Sequence, residues 1–487
     1  MQIHDKFVAG LRSFASLRLI TQITSWLGTV YVVRHLDSAA LGRFGVALVV
    51  FNYLSMTYDG SLVEALVLRP PASRAERRAV FTVLVGFGAL LAVATALASG
   101  EIARWVGDAA VAPLVVGVAG ALALTSFSVL PQAALARRMD FHRLAIAGGL
   151  QALAVTATTV TLAWQGAGAW ALVGGQIVGA TVRLILLNRA CPSLLRPSRE
   201  IAYALGYLRF GGLLFVDNLL WRWYTSLDTL LLSRWSGTAQ LGYYNLAQQV
   251  AELPLEKIST VVNDVSLPAY AELRGDRAAS ARLLLETMRT QATIGFAIFW
   301  GLAATAPIAV PVLFGSRWDD AVFPLTALAA VAPIRLIGSV ETPAMTGLGR
   351  PGVLVRTKLI VAPIMTVALL LACREAGIRG AALVWLCVFP VGYLIAFRYV
   401  LRAGNLSFRE LGRVTRGPIG AAAVMTVAVI GWTRLGAMLA VARWITLITA
   451  IGVGAITYVL GLSLIDRESL RLIYLRARRF AGLEAAT

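Results

Sequence analysis

The sequence predicts an all-α integral membrane protein of about fourteen spanning helices, on three observations: its composition, the spacing of its apolar stretches and an internal repeat. Hydrophobic residues fill 58% of 487 positions and charged residues 14%, whereas a water-soluble domain carries about 25% charged residues. A water-soluble fold is excluded on that ground. The net charge of +19, from 44 Lys and Arg against 25 Asp and Glu, would in a soluble chain suggest a nucleic-acid partner. Here the bases sit in short links between apolar stretches, where they report topology and contact with anionic membrane lipids. No nucleic-acid partner is expected.

Apolar runs between charge clusters place helices near 14–33, 41–67, 79–99, 111–135, 145–165, 169–188, 210–233, 241–267, 287–314, 321–345, 357–374, 379–400, 418–434 and 444–465. Residues 1–13 are polar, and the first apolar run is longer than a secretory h-region, so no cleaved signal peptide is expected. Every link is short. None holds a folded extramembrane domain, which argues against a glycosyltransferase or a polymerase with a large external catalytic loop.

Orientation follows from the basic residues. Arg69, Arg74, Arg77 and Arg78, then Arg137, Arg138 and Arg143, then Arg471, Arg476, Arg478 and Arg479 all fall on one side. About 31 of the 44 bases lie there, about 9 on the other side and roughly four within helices, which by the positive-inside rule makes both termini cytoplasmic. For a bacterial cell this means a multi-pass protein of the inner membrane.

The internal repeat supplies the lobes. Leu41-Gly42-Arg43-Phe44, opening the second helix, recurs as Leu241-Gly242-Tyr243-Tyr244 opening the eighth, and Leu11-Arg12 is echoed by Leu208-Arg209. Six helices separate the copies, so the halves share one orientation and are related by a pseudo-two-fold axis along the membrane normal. The expected architecture is two parallel six-helix lobes, 1–190 and 191–415, the latter led by a cytoplasmic segment. A C-terminal part, 416–487, adds two more helices and a basic tail.

Enzyme signatures are missing: there is no phosphate-binding P-loop, no His-Glu-x-x-His, and only His4, His35 and His142 in the chain. Cys191, Cys373 and Cys387 lack metal-ligand spacing. The protein is read as no enzyme, with no metal and no cofactor.

Ionisable residues inside spanning helices are costly and are therefore the functional candidates. Trp221-Arg222-Trp223-Tyr224 falls near the middle of 210–233, too deep for an aromatic belt or for easy snorkelling. Such an arginine faces a wet cavity or is locked by a carboxylate, and its flanking indoles offer flat faces for a cation or a sugar ring. Asp217 and Asp228 lie about three turns apart on one face, with Arg222 about 140° from Asp217, so Arg222 is not expected to pair within its own helix. Glu252 and Glu256 are spaced i,i+4 around Pro254, with Lys257 adjacent; this predicts a kinked or broken helix, lining a cavity or packed with Lys257 neutralising a glutamate. Arg335 and Glu341 lie within 321–345, and Asp59 and Glu64 in the inner half of 41–67. Arg18 and Arg183 are read as snorkelling to the interface. With Asp264, the candidate carboxylates outnumber the intramembrane bases; burial could keep some of them protonated and so available for proton coupling.

These residues reach a known family. The run Asp228-Thr229-Leu230-Leu231-Leu232, then Leu241-Gly242-Tyr243-Tyr244-Asn245-Leu246-Ala247, Leu253-Pro254 and Leu267-Pro268-Ala269, resembles the second-half signature of polysaccharide and O-antigen flippases in the multidrug/oligosaccharidyl-lipid/polysaccharide exporter superfamily. Leu41-Gly42 and Asp59-Gly60 resemble its first-half counterpart. The resemblance spans most of residues 1–415. It implies a lipid-linked oligosaccharide, such as one on undecaprenyl diphosphate, carried from the cytoplasmic to the periplasmic leaflet by alternating access, for exopolysaccharide or lipopolysaccharide O-antigen. It also implies basic residues toward the diphosphate, a role falling on Arg222 with Lys257 or Arg335, beside Trp221, Trp223 and Tyr224. Coupling or gating would fall on Asp59, Asp217, Asp228, Glu252, Glu256 and Glu341. The driving force would be the membrane potential, H+ or Na+, and the partners a polysaccharide polymerase and export machinery. The competing reading is a cation-coupled multidrug exporter of the same superfamily, favoured by the carboxylates.

Overall fold

The computed structural model describes residues 21–59, 66, 73–138, 140–193, 197–273, 275–350 and 352–471, and its helices overlap the expected ones with ends that differ by up to about ten residues. Contacts divide the chain into two units, Met1–Gly242 and Tyr243–Thr487. This division by packing falls inside the expected second lobe, after the helix that carries Arg222. All regular elements among the described residues are helical.

The first unit holds α1 (21–35), α2 (Ser38–Asp59), α3 (Arg74–Val106), α4 (Val111–Ser126), α5 (Val129–Arg137), α6 (Phe141–Trp164), α7 (Trp170–Ala190) and α8 (Leu205–Trp235). Ser73 and Glu76 form a reciprocal capping box that starts α3, satisfying two otherwise orphaned N–H groups. Gly107 ends the same helix at φ 80°, a left-handed conformation that suits glycine. The expected stretch 111–135 is not one straight helix: α4 and α5 meet at a 41° bend. Pro131 causes it, because proline has no N–H for the carbonyl of Phe127, and the Asn188 amide turns toward that oxygen at 3.5 Å instead.

Small residues let neighbouring backbones close up. On α7, a Cβ at Gly175 would lie 2.2 Å from Thr159 Oγ1 and one at Gly179 2.4 Å from Val155 Cγ2, so these glycines set the approach of α6. Arg183 does not snorkel free. It donates to Gln151 Oε1 at 3.0 Å and Gln132 Oε1 at 2.8 Å, bracing α5, α6 and α7 from within.

Helix α9 (Gly237–Glu272) starts in the first unit and continues into the second. Of the kinked or broken helix expected at Pro254, the break does not form; proline removes only one hydrogen bond, and the turns on either side hold the helix. The second unit continues with α10 (Arg277–Leu313), α11 (Val322–Gly338), α12 (Glu341–Gly347), α13 (Gly352–Leu383), α14 (Phe389–Ala403), α15 (Phe408–Met438) and α16 (Arg443–Ile465). The backbone breaks at Gly377, φ 54° and ψ −135°, so the apolar stretch from Gly352 to Ala403 contains two rods, near the expected division of 357–374 from 379–400. A π-helical turn over Val384–Val388 joins α13 to α14. Helices α15 and α16 pack on each other and on α10; Gly461 lies against Ala421, and the buried Tyr458 hydroxyl donates to the Thr293 carbonyl at 2.6 Å.

Among the described residues nine stretches are long and apolar enough to span, or ten with the bent pair. Helices α8 and α9, at 31 and 36 residues, have ample length for a core of about 30 Å but are absent from that set, and they carry most of the candidate site residues. On the arginine-rich side the bases also cap carbonyls: Arg78 donates to Pro197, Arg137 to Leu66 and Arg143 to Ala190 in the first unit, and Arg350 to Ala403 in the second. Residues 1–20 with Arg18 and Leu11-Arg12, and also Gly60, Glu64, Arg69, Arg476, Arg478 and Arg479, lie outside the described residues, as do the side chains of Leu208, Arg209, Asp59, Asp217, Asp264 and Pro268.

Tyr458→Phe removes one buried hydrogen bond while keeping the ring, so it should cost about 1 kcal/mol and lower the melting midpoint of the purified protein in detergent. An unchanged midpoint would contradict the role given to this contact.

Candidate functional site

In the first unit the candidate residues converge on α8, which packs against α2. Arg222 is half-buried, with its guanidinium 5.2 Å from the Trp221 ring centroid. Among the described residues no carboxylate forms an ion pair with it. Trp221 and Trp223 are 41% and 45% exposed. Residues two apart on a helix point about 200° apart, so α8 is uncovered on two sides at this depth. From Tyr224 through Thr229 the helix is buried, and Asp228 is fully enclosed, its Oδ1 accepting from the Thr229 N–H at 2.7 Å among the buried hydroxyls of Thr225, Ser226 and Ser233.

The sequence reading overlooked Tyr53. Its hydroxyl reaches from α2 to donate to the backbone carbonyls of Arg222 at 3.1 Å and Trp223 at 3.4 Å. Thr225 Oγ1 donates to the carbonyls of Trp221 and Arg222 at 2.9 and 3.3 Å. Three consecutive carbonyls therefore accept side-chain hydroxyls, which ties the Trp-Arg-Trp segment to α2. Tyr53 lies in an ordinary apolar run, and nothing in its spacing marks it.

In the second unit Arg335 of α11 is held rather than free. Its Nη2 donates to Glu252 Oε1 at 3.1 Å, its guanidinium lies 4.8 Å from the Trp385 ring centroid, and the side chains of Arg335 and Glu252 are 13% and 30% exposed. Gln248 Nε2 also approaches Glu252 Oε1, at 3.4 Å. The shared face of Glu252 and Glu256 thus carries unequal groups: Glu252 is neutralised by Arg335, while Glu256 and Lys257 are exposed on α9. Glu341 accepts from the Tyr393 hydroxyl at 3.2 Å, and Gly338 makes room for that hydroxyl, since a Cβ there would lie 2.3 Å from it. The expected basic set therefore divides, with Arg335 in a pair and Arg222 and Lys257 outside any described ion pair. No group of His, Cys, Asp or Glu among the described residues is arranged to hold a metal.

Long apolar helices joined by short links, with ionisable side chains within α8, α9 and α11, are the architecture of a multi-pass membrane protein. The chain belongs to the polysaccharide biosynthesis protein family, whose pattern it matches over residues 31–323. It is 24% identical over 407 residues to the lipopolysaccharide biosynthesis protein WzxC of Escherichia coli, covering 82% of each chain. To the succinoglycan biosynthesis transport protein ExoT of Rhizobium meliloti it is 25% identical over 453 residues, covering 92% of this chain and 90% of that one. The fold is similar to that of the lipid II flippase MurJ in an inward closed conformation, with a TM-score of 0.75 at 13% identity over 94% of this chain and 99% of that chain. An inward-facing multidrug resistance transporter of the MATE family matches with a TM-score of 0.60 at 15% identity, over 81% and 96%. The family expected from the signature runs is the family found, and the chain is a transporter of polysaccharide biosynthesis, not an enzyme.

Because Glu252 and Arg335 neutralise each other in a partly buried setting, Glu252→Gln should destabilise the protein by about 3 kcal/mol by leaving Arg335 unpaired. Glu256→Gln should change stability by less than about 0.5 kcal/mol. Equal melting midpoints for the two variants would show that the pair is not what holds α9 to α11.

Proposed function

We propose that this protein carries an undecaprenyl-diphosphate-linked oligosaccharide from the cytoplasmic to the periplasmic leaflet of the inner membrane by alternating access, with both termini in the cytoplasm. The observation that carries the reading is Arg222. It is a permanent cation at mid-span, outside any described ion pair and set between two exposed indoles. A guanidinium suits a diphosphate, offering several donors in a planar fork. The exposed faces of Trp221 and Trp223 suit sugar rings or a lipid tail. The uncovering of α8 on two sides supports a cargo with one part in water and another in lipid. Lys257, exposed on α9, is a second basic contact along the route, and polymerase and export machinery would take the delivered lipid.

The glutamate that would best serve an acidic pocket for small cations, Glu252, is neutralised by Arg335, which weighs against the multidrug exporter reading. That ion pair, with the buried Asp228, is the place where a proton or Na+ would couple if the cycle needs one.

Arg222→Ala should abolish glycan export in a complementation assay while leaving insertion and melting behaviour intact; Trp223→Ala should be milder. Normal export by Arg222→Ala removes Arg222 from the site, and equal loss in both variants marks the segment as structural.

The sign of the cargo sets a further expectation. A diphosphate headgroup carries about two negative charges, and each elementary charge crossing 100 mV is worth about 2.3 kcal/mol. With the cytoplasm negative, outward movement gains about 4 to 5 kcal/mol from the potential. Collapsing the potential at constant pH gradient should therefore slow outward transport in reconstituted vesicles. Dependence on a pH or Na+ gradient alone would overturn the electrophoretic picture.

A further inference from the structure

The repeated Leu-Gly-x-aromatic motif does more than open two helices. A Cβ built on Gly42 of α2 would lie 1.7 Å from the Thr238 carbonyl oxygen, and one on Gly242 of α9 would lie 1.8 Å from that of Ser38. The contact is reciprocal, because 38 and 42 meet 238 and 242, as a local two-fold axis between the helix starts requires. At each glycine the hydrogen in place of Cβ points at a carbonyl, a Cα–H···O contact of the kind found where helices cross closely. Nothing larger than hydrogen fits at either position, and no cargo passes between these backbones while they touch.

Beside the crossing the two copies differ in chemistry. Arg43 Nε donates to Asp108 Oδ2 at 2.7 Å, in the link after α3, and Thr238 Oγ1 donates to the same oxygen at 3.0 Å. The Ala110 N–H donates to Asp108 Oδ1 at 3.0 Å. One carboxylate thus gathers the starts of α2 and α9 with the end of α3. At the repeat-equivalent position Tyr243 meets Trp318, in the link after α10, edge to face at 5.6 Å, and Trp318 is fully buried. The first copy has an ionic contact with side chains 33% and 19% exposed, and the second an aromatic one in which Trp318 is buried and Tyr243 half-buried. Burial alone would raise the Asp108 pKa, but the hydrogen bonds from Arg43, Ala110 and Thr238 outweigh it and the carboxyl is held below its ordinary range.

We propose that the Gly42/Gly242 crossing and the Arg43, Asp108, Thr238 cluster form a latch closing the transport path on the face opposite the arginine-rich links, and that each cycle requires its release. The proposal rests on the topology given under Proposed function, which makes this the periplasmic face. Water competes for the Arg43 and Asp108 contacts as the face opens, so the latch holds without locking. The glycine crossing provides the tight seal.

The test uses the full chain with Cys191, Cys373 and Cys387 replaced by Ala and the reporter Ala47→Cys, fully buried on α2 about 7.5 Å along the axis from Gly42. A membrane-impermeant maleimide is added to right-side-out and inverted vesicles, and the labelling rate is read. Gly42→Ala and Arg43→Ala should each speed labelling from the periplasmic side about three- to tenfold, as expected for losing one such contact set. Arg43→Lys should stay near the parent rate, as should Gly86→Ala, which has open space at its Cβ. Unchanged rates in both Gly42→Ala and Arg43→Ala, acceleration by Gly86→Ala as well, or acceleration only in inverted vesicles would overturn the latch. Labelling needs no glycan, so a failed latch leaves the Arg222 export test standing, and a failed export test leaves the latch standing.

Discussion

A charge inside a spanning helix must be paired or kept wet, and that constraint organises most of what distinguishes this chain from a bundle of apolar rods. Lipid offers no hydrogen bonds, so an arginine at mid-depth is tolerated only where protein or water supplies them. The second unit meets the demand internally: Arg335 has Glu252 on one side and the face of Trp385 on another. The first unit leaves Arg222 with a cation–π contact and no described ion pair. Arg335 is thus closed in a pair, while Arg222 stays outside any described ion pair, as does Lys257 of the second unit.

The same constraint bears on α8 and α9, which have the length to span but fall outside the set of stretches apolar enough to do so by composition. A helix wholly facing lipid has no use for Asp228, Glu252 or Lys257; a helix lining a water-filled route does. On the function proposed above, their length is set by the membrane and their composition by the route of the cargo.

Much of the fold was legible in the sequence because apolar length is a strong signal. The Ser73 and Ser407 capping boxes and the turn at Gly107 are local chemistry, readable from a few neighbouring residues. The bend at Pro131 was missed because the run around it is unbroken in hydropathy, and at Pro254, where a kinked or broken helix was expected, the helix is continuous because one missing N–H does not end a long helix. At the site, periodicity identified which residues were expensive but not which were paired. Arg335 and Glu252 are 83 positions apart, and no spacing rule joins them. Tyr53 and Trp385 act on residues more than 100 positions away or on another helix altogether, and their own neighbourhoods are plain apolar sequence.

The two Leu-Gly-x-aromatic motifs share one backbone contact and differ in the side-chain contact beside it. Position 42 and position 242 keep glycine because their backbones occupy the space that a Cβ would need; a substitution on either side breaks the same crossing, so the two are coupled. The next position has no such coupling, since Arg43 and Tyr243 each look to their own neighbouring link. One contact is ionic and the other aromatic. An aromatic pair buried around Trp318 holds its link fast through a conformational change, whereas a half-exposed arginine and aspartate can exchange each other for water at little cost. In the latch proposed above, the ionic contact beside Gly42 is the one that lets go and the aromatic contact beside Gly242 the one that stays.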